Sequence, residues 1–294
     1  MPRLSRYQIL QHVSPVLEKF FKEKGSKIYS QVDIDSILSV NKRIWMLAIV
    51  TTSENFVEFL MKKNIIKIFK IELPNRIVCK YVYGDITDYE IALSINKDSY
   101  CSHYTAMFLN GITENIPKNI YTNMEQSNKF GAQTYDLEQI NIDKAFSRPM
   151  RTTNQIVEFN SKKVYLLNGK NVKNIGVTDF KVDNRTFKIT NIERTLIDIS
   201  VRPNYAGGTQ EILDTYIKAK GKCSVNKLLS ILKKMNFAYP YHQVIGFYLE
   251  KAGYSENVLK LVEKQEIKYN FYLTYQMKDK LYSERWKLYF PPGL

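Results

Sequence analysis

The chain has 294 residues, a formal net charge of +14 and three cysteines. A chain of this length holds roughly two domains of about 150 residues each. The cysteines are odd in number and have no C-x-x-C spacing, so the sequence indicates neither a disulfide framework nor a zinc cluster. Because no apolar run approaches the roughly 20 residues that span a bilayer, and residues 1–11 are too polar for a signal peptide, we expect a cytoplasmic protein with no membrane partner.

The positive charge is spread along the chain. Residues 1–95 carry 14 basic and 10 acidic groups, residues 96–190 carry 13 and 9, and residues 191–294 carry 16 and 10. A net charge of this sign favours a polyanionic partner such as nucleic acid. A solvated, lysine-rich surface explains the same totals, so charge alone does not select the partner.

The first 95 residues have the pattern of three helices followed by a hairpin. Apolar residues recur at helical spacing in three segments, residues 5–23, 30–45 and 54–63. Ser30 is placed to cap the second helix, and Thr52 or Ser53 the third. Residues 65–73 and 77–83 then alternate as two strands joined at Pro74–Asn75. This order predicts a winged helix-turn-helix domain.

In a winged helix-turn-helix domain the third helix enters the major groove of double-stranded DNA, and the hairpin lies along the phosphate backbone. Glu54 and Glu58 would repel phosphate if they faced it, and such a domain also serves as a protein-interaction module, so that alternative stays open. The predicted DNA contacts are the polar and basic residues of these elements: Lys42, Arg43, Ser53, Asn55, Lys62, Lys63, Lys67, Lys70 and Arg76.

Residues 96–294 are predicted to form a larger C-terminal domain, so the fold class is α+β with an N-terminal winged helix and a mixed C-terminal domain. Its three parts are a β-rich segment (96–190), a helical segment (191–265) and terminal strands (266–294). Thr190 and Glu193 fit a capping box for the first of these later helices. Thr209 is placed to cap the next helix.

Two charged residues, Arg194 and Asp198, stand four positions apart and off the narrow apolar face that the helix after Thr190 presents. One account is an exposed ion pair worth about 0.3–0.5 kcal/mol. The other is that Arg194 anchors the Gly207–Gly208 loop or a partner. The spacing does not separate these accounts.

The segment TNIERTLIDISVRPNYAGGTQEIL (190–213) resembles the ERTL-x-D…GG-x-x-E-[IV]-L signature of the AbiEi-type antitoxins, regulators of bacterial toxin–antitoxin and abortive-infection loci. The segment YCSHYTAMFLNGITENIPKNIYT (100–122) is similar to the Y-x-SHY block that lies upstream in that family, and the ending YSERWKLYFPPGL also resembles the family's. The matching signature residues are Ser102, His103, Tyr104, Glu193, Arg194, Asp198, Gly207 and Gly208.

The resemblance implies a non-enzymatic antitoxin without a cofactor. Its N-terminal domain would repress its own operon at promoter inverted repeats, and its C-terminal domain would counteract a nucleotidyltransferase-like toxin encoded next door, in this family usually without a stable complex. The alternatives are a stand-alone winged-helix transcription factor, a toxin-modifying enzyme, and a metal-dependent nuclease using Asp143 and the Asp179–Lys181 or Glu266–Lys268 element.

The histidines indicate no metal site, because His12, His103 and His242 have no partner at metal-ligand spacing. Ser102 and His103 are adjacent on a predicted short helix. A hydroxyl–imidazole pair is one interpretation, but adjacent helical residues are expected to point apart, which favours a structural role for His103.

Overall fold

The computed structural model describes residues 4–127, 137–183 and 185–294. The chain divides into two compact units. The N-terminal unit comprises Met1–Lys97 and Ile156–Ser161, and the C-terminal unit comprises Asp98–Gln155 and Lys162–Leu294. Ile156–Ser161 lies inside the predicted C-terminal domain, but its Phe159 packs edge-on against Phe69 of the N-terminal unit, with ring centroids 5.6 Å apart.

The N-terminal unit contains three helices, a hairpin and a fourth helix. Ser5, Ser30, Thr52 and Thr87 each begin a helix with a capping box. The three strands pair antiparallel in the order β1-β3-β2. The elements are α1 (Arg6–Lys24), β1 (Lys27–Tyr29), α2 (Gln31–Asn41), α3 (Ser53–Lys62), β2 (Lys67–Leu73), β3 (Arg76–Tyr83) and α4 (Asp88–Ile95).

The core of this unit is apolar and aromatic. Phe21, Phe56 and Leu60 are fully buried, and Trp45 stacks on Phe56 with ring centroids 5.9 Å apart. Burying an aromatic or leucine side chain is worth about 1.5–3 kcal/mol, so these contacts hold the helices against the sheet. The inner faces of α3 and the hairpin therefore pack against this core, and their outer faces are exposed.

The C-terminal unit combines a mixed sheet, a helical cluster and a small terminal sheet. Five strands of the mixed sheet run in the order β7-β5-β4-β9-β8, and the terminal sheet has the order β10-β12-β11. The elements, with β6 (Ile156–Phe159) belonging to the other unit, are β4 (Tyr100–Cys101), α5 (His103–Leu109), β5 (Asn119–Glu125), α6 (Gln139–Phe146), β7 (Lys162–Gly169), β8 (Val177–Val182), β9 (Arg185–Thr190), α7 (Ile192–Val201), α8 (Thr209–Ala219), α9 (Val225–Met235), α10 (Tyr241–Lys251), α11 (Glu256–Glu263), β10 (Phe271–Tyr272), β11 (Leu281–Ser283) and β12 (Leu288–Phe290).

Helix α7 is the centre of the C-terminal unit, because α5, α8, α9 and α10 all pack against it. Every residue from Glu193 to Ser200 is buried. A helix enclosed on all sides has no solvent face, so charged residues off its apolar stripe are buried as well.

The α+β fold class is confirmed, and the structure corrects several local predictions. The second helix ends at Asn41 instead of running on to Trp45. Asn191, not Thr190, caps α7, because its side chain accepts the backbone N–H of Arg194 at 2.9 Å. Gly208 is the N-cap of α8, and Thr209 is the first helical residue.

Three further elements carry no clear signal in the sequence. They are β1 and β11, of three residues each, and α6, whose buried residues are only Ile142 and Phe146. Short strands exist through their pairing with a neighbour, so a local pattern does not reveal them. Within the described part of the chain, no helix is both long and apolar enough to cross a bilayer.

Candidate functional site

Helix α3, predicted to read DNA, presents an exposed surface of mixed charge. Glu54 and Glu58 are exposed on it, and Lys62 donates to Glu58 Oε1 at 2.7 Å. A lysine that is already paired with a carboxylate has to exchange that partner before it contacts a phosphate. This surface therefore carries the two carboxylates that would repel phosphate if they faced it.

Several predicted DNA contacts make hydrogen bonds inside the N-terminal unit. Asn55 Oδ1 accepts the N–H of Thr52 at 3.4 Å and Nη1 of Arg6 at 3.0 Å. Lys42 Nζ donates to the carbonyl of Thr51 at 2.7 Å. Ser53 holds Asp35 by a hydrogen bond that lowers the pKa of that carboxyl group. These residues organise the start of α3 and the loop before it.

The hairpin of β2 and β3 is the most basic element of the unit. It carries four cations, Lys67, Lys70, Arg76 and Lys80, against one carboxylate, Glu72. Lys67 and Lys70 are exposed, although residues three apart on a strand point to opposite faces. Arg76 lies at the turn, where Nη2 donates to Asn96 Oδ1 at 2.9 Å. Lys80 is a further cation that was not among the predicted contacts.

The remaining two predicted contacts lie at helix ends. Arg43 follows α2 and is exposed, and Lys63 is the C-cap of α3 and is half-buried. A cation at the end of a helix also complements the helix dipole, so its presence there does not depend on a DNA partner. Of the predicted contacts, the hairpin residues have the charge that best suits phosphate.

In the C-terminal unit, Arg194 and Asp198 form a buried ion pair, so of the two accounts left open by the sequence the exposed pair is wrong. Their side chains are only 4% and 9% exposed, and Nε of Arg194 donates to Oδ1 of Asp198 at 2.8 Å. Nη1 of Arg194 also donates to the carbonyl of Ile175 at 2.7 Å. The guanidinium makes no contact with the Gly207–Gly208 loop among the described residues, so that anchor is not observed either.

Two further side chains complete the polar cluster. Tyr100 on β4 lies with its hydroxyl 3.3 Å from Nη2 of Arg194, and Nδ2 of Asn123 donates to the same hydroxyl at 2.6 Å. Both residues are buried. Tyr100 is 94 positions from Arg194, and no spacing rule joins residues so distant. Sequence reasoning therefore missed them.

Burial and charge act in opposite directions on this pair. Burial disfavours the charge on Arg194, but the carboxylate of Asp198 outweighs it and raises the guanidinium pKa. For Asp198, burial prevails over the attraction of Arg194 and raises the carboxyl pKa. Removing either member of a buried ion pair leaves an uncompensated buried charge, which is strongly destabilising. Arg194 also links α7 to the sheet through Tyr100, and to the loop before β8 through the carbonyl of Ile175.

The other signature residues also make contacts within the unit. Glu193 is buried and accepts the backbone N–H of Ser224 at 3.1 Å and Nζ of Lys227 at 2.9 Å. Burial raises the pKa of Glu193, but these bonds outweigh it, so the carboxyl pKa is below its ordinary value. The carboxylate links α7 to α9 instead of reaching back to a cap.

The two signature glycines form the turn before α8, and Tyr104 on α5 packs against it. The hydroxyl of Tyr104 donates to Oε1 of Glu211 at 2.9 Å. A Cβ at Gly207 would lie 3.0 Å from Cε2 of Tyr104, and φ is +81° at Gly207 and +95° at Gly208. Glycine adopts such angles without a steric penalty, which explains the residue type at both positions.

Ser102 and His103 form a hydrogen bond, contrary to the expectation that their side chains point apart. Oγ of Ser102 lies 2.9 Å from Nδ1 of His103. Ser102 is the extended N-cap of α5, and His103 has a φ of +49°, so neither has the helical geometry on which that expectation rested. A histidine with positive φ is strained, and such strain concentrates at functional sites.

His103 also lines a cavity of about 290 Å³ at the buried ion pair. Asn123, Arg194 and Asp198 contribute to its wall. Four cations surround the space, and Asp198 is its single carboxylate. The complete wall consists of His103, Asn123, Arg151, Thr152, Thr153, Leu167, Asn168, Gly169, Lys170, Arg194, Asp198, Val201, Arg202, Tyr205, Met235 and Phe237.

Acid should destabilise the fold through His103. Burial, followed by repulsion from Arg202 and Arg194, lowers the pKa of His103 to about 3, whereas an unfolded histidine titrates near about 6.5. Between these values the unfolded state binds a proton that the folded state does not. The free energy of unfolding should therefore fall by up to about 1.4 kcal/mol for each pH unit below about 6.5.

Thermal melts between about pH 7 and pH 5 test this effect. The melting temperature should fall with pH less steeply in His103→Asn, since asparagine tolerates positive φ and has no imidazole. Exposed His12→Asn should keep the wild-type slope. Burial also lowers the pKa of His242, but that contribution is common to all three proteins. Equal slopes in all three would contradict the assignment to His103.

Among the residues named for the nuclease alternative, Asp143 is hydrogen-bonded within the C-terminal unit and Asp179 lies on an exposed strand position. Oδ1 of Asp143 accepts Nε2 of Gln139 at 2.7 Å and the hydroxyl of Tyr272 at 3.0 Å. Asp179 is exposed on β8 and pairs in register with Lys188. Across residues 4–127, 137–183 and 185–294, no group of three or more His, Cys, Asp or Glu side chains is placed to hold a metal ion.

Comparison with known proteins found similarity to solved structures. No protein-family model matches the sequence, and no curated protein is similar to it. The crystal structure of the RV2827C protein from Mycobacterium tuberculosis is similar over 98% of this chain and 92% of that one, with a TM-score of 0.60 and 12% sequence identity. At this identity the similarity establishes the fold alone.

Proposed function

We propose that this protein is a DNA-binding repressor of its own operon and the antitoxin of a toxin–antitoxin pair. The observation that carries the proposal is the basic hairpin of β2 and β3, which follows three helices in the order typical of a winged helix-turn-helix. The hairpin has four cations and one carboxylate. The resemblance of residues 100–122 and 190–213 to AbiEi-type antitoxins supports the antitoxin part.

In this proposal the phosphate contacts come mainly from the hairpin. Arg76 sits at the turn, where a wing meets the DNA backbone, and Lys67 and Lys70 are exposed on opposite faces of β2. Lys62 contributes less, because its ammonium group already pairs with Glu58. Promoter inverted repeats would supply the sequence-specific contacts to the start of α3, and a nucleotidyltransferase-like toxin would be the second partner.

A mobility-shift assay on the DNA upstream of the gene tests the repressor part. Lys67→Ala/Lys70→Ala/Arg76→Ala should weaken binding, because every phosphate that is no longer neutralised reduces the slope of log affinity against log salt by about 0.9. Lys62→Ala/Lys63→Ala should have a smaller effect. The charge-matched control, Lys260→Ala/Lys264→Ala/Lys278→Ala, removes three exposed lysines of the C-terminal unit and should retain most of the affinity.

Equal binding by the hairpin variant and the wild type would exclude the hairpin as the contact surface. Equal affinity for random DNA would exclude a repressor. Co-expression with the product of the neighbouring gene tests the antitoxin part: the hairpin variant should still restore growth, because its substitutions leave the C-terminal unit unchanged. An isolated gene with no toxic neighbour would favour the stand-alone transcription factor.

A further inference from the structure

The cavity beside Arg194 and Asp198 adjoins a second one. The second cavity has a volume of about 630 Å³ and shares Arg151, Val201, Arg202 and Phe237 with the first. Because the same four residues line both cavities, we call the two together the basic groove; all of its lining residues belong to the C-terminal unit. Ligand sites have volumes of about 300–1,000 Å³, so the groove is large enough for a small organic ligand.

The charge of the groove is strongly one-sided. Asp198 is the single carboxylate among the lining residues of the first cavity, and it is already bonded to Arg194. The first cavity is also lined by Arg151, Lys170 and Arg202. The second cavity adds Lys144 and Arg148 and no carboxylate.

The two shared arginines retain unused donors. Within the part of the chain that the structure describes, the guanidinium of Arg151 has no bonded partner, and Arg202 uses Nη1 alone, which donates to the carbonyl of Arg151 at 3.0 Å. Both are exposed. Arginine binds phosphate through two parallel N–H donors, so these two side chains suit a phosphate group.

Aromatic side chains also line the groove. Phe237 and Tyr239 are half-buried on it, and the ring of Phe237 packs at 5.3 Å from that of Tyr241. A planar base stacks on such rings, and a base beside a phosphate is the chemistry of a nucleotide. We propose that the basic groove binds a nucleotide phosphate together with its base, either free or at the end of a single strand.

His103 offers a neutral contact at the inner end of the groove. It is 6% exposed, and Nε2 has no partner among the described residues, while Nδ1 is occupied by Ser102. Lowering of its pKa keeps the imidazole uncharged at neutral pH. With Ser102 donating to Nδ1, Nε2 retains its hydrogen and would donate to the ligand. The unusual backbone conformation of His103 would then serve to place this donor in the groove.

Isothermal titration of the full-length protein tests the proposal. The probes are adenosine 5′-monophosphate, adenosine, inorganic phosphate and a short single-stranded oligonucleotide with a 5′-phosphate. We expect adenosine and phosphate each to bind at least about tenfold more weakly than the monophosphate, because each lacks one half of the contacts. Preference for the oligonucleotide over the monophosphate would identify the end of a strand as the natural ligand.

Variants separate the groove from the rest of the basic surface. Arg151→Gln/Arg202→Gln should bind the preferred probe at least about tenfold more weakly, and Phe237→Leu should weaken binding of the monophosphate but not of phosphate. Lys264→Gln, an exposed substitution on the same unit, should bind as the wild type does.

The proposal is overturned if no probe binds at about 1 mM, if adenosine binds as well as the monophosphate, or if the double arginine variant binds normally. All substituted residues lie in the C-terminal unit, so promoter binding should be unchanged and the two proposals fail independently.

Discussion

Replacing Arg194 by methionine should lower the free energy of unfolding by about 3–5 kcal/mol. The substitution removes the guanidinium that neutralises Asp198 and leaves a buried carboxylate without a charge partner. It also leaves the carbonyl of Ile175 and the hydroxyl of Tyr100 without this donor. Methionine has a similar length, so the destabilisation should come from charge and hydrogen bonding rather than from an empty cavity.

Chemical denaturation of the variants measures this effect, and the chain provides a matched control. Lys19 and Glu23 also stand four residues apart on a helix, at 3.9 Å, but both are exposed, so Lys19→Ala should cost less than about 1 kcal/mol. The double variant Arg194→Met/Asp198→Leu should recover most of the stability, because no unpaired charge remains. A destabilisation by Arg194→Met no larger than that by Lys19→Ala would refute the buried pair.

Replacing Gly246 by alanine should lower the free energy of unfolding by about 1–3 kcal/mol, although alanine favours helix over glycine by about 1 kcal/mol. A Cβ on Gly246 would lie 2.3 Å from Cζ3 of Trp286 and 2.5 Å from Cε3. The ring has no room to retreat, because Trp286 is fully buried and its Nε1 donates to Oε2 of Glu250 at 2.8 Å.

A double-mutant cycle identifies Trp286 as the cause. Trp286→Leu removes the ring, and in that background Gly246→Ala should cost much less than in the wild type, with a coupling energy of about 1 kcal/mol or more. The free energy of unfolding of all four proteins is measured by denaturant titration. Unfolding is followed by far-ultraviolet circular dichroism, because Trp286→Leu changes the tryptophan fluorescence. If Gly246→Ala stabilises the wild type, helix propensity outweighs the clash and α10 tolerates a side chain against the indole.

Local sequence patterns were sufficient where neighbouring residues make the structure. The capping boxes that begin at Ser30 and Thr52 join residues three positions apart. In the hairpin across Pro74–Asn75, each strand pairs with the strand next to it along the chain. Such contacts involve residues a few positions apart, so the α+β class and the starts of the second and third helices could be predicted from the sequence. The DNA and toxin partners are proposals that need the experiments above.

Contacts between distant segments decided the rest. Arg194 has a solvent-facing position on a helical wheel, yet α5, α8, α9 and α10 enclose α7 and bury it beside Asp198 and Tyr100. The basic groove likewise joins Arg151 to Arg202 and Phe237. Helical periodicity records one apolar face and carries no information on how many neighbours surround the helix, so burial of these charges follows from packing of the whole unit.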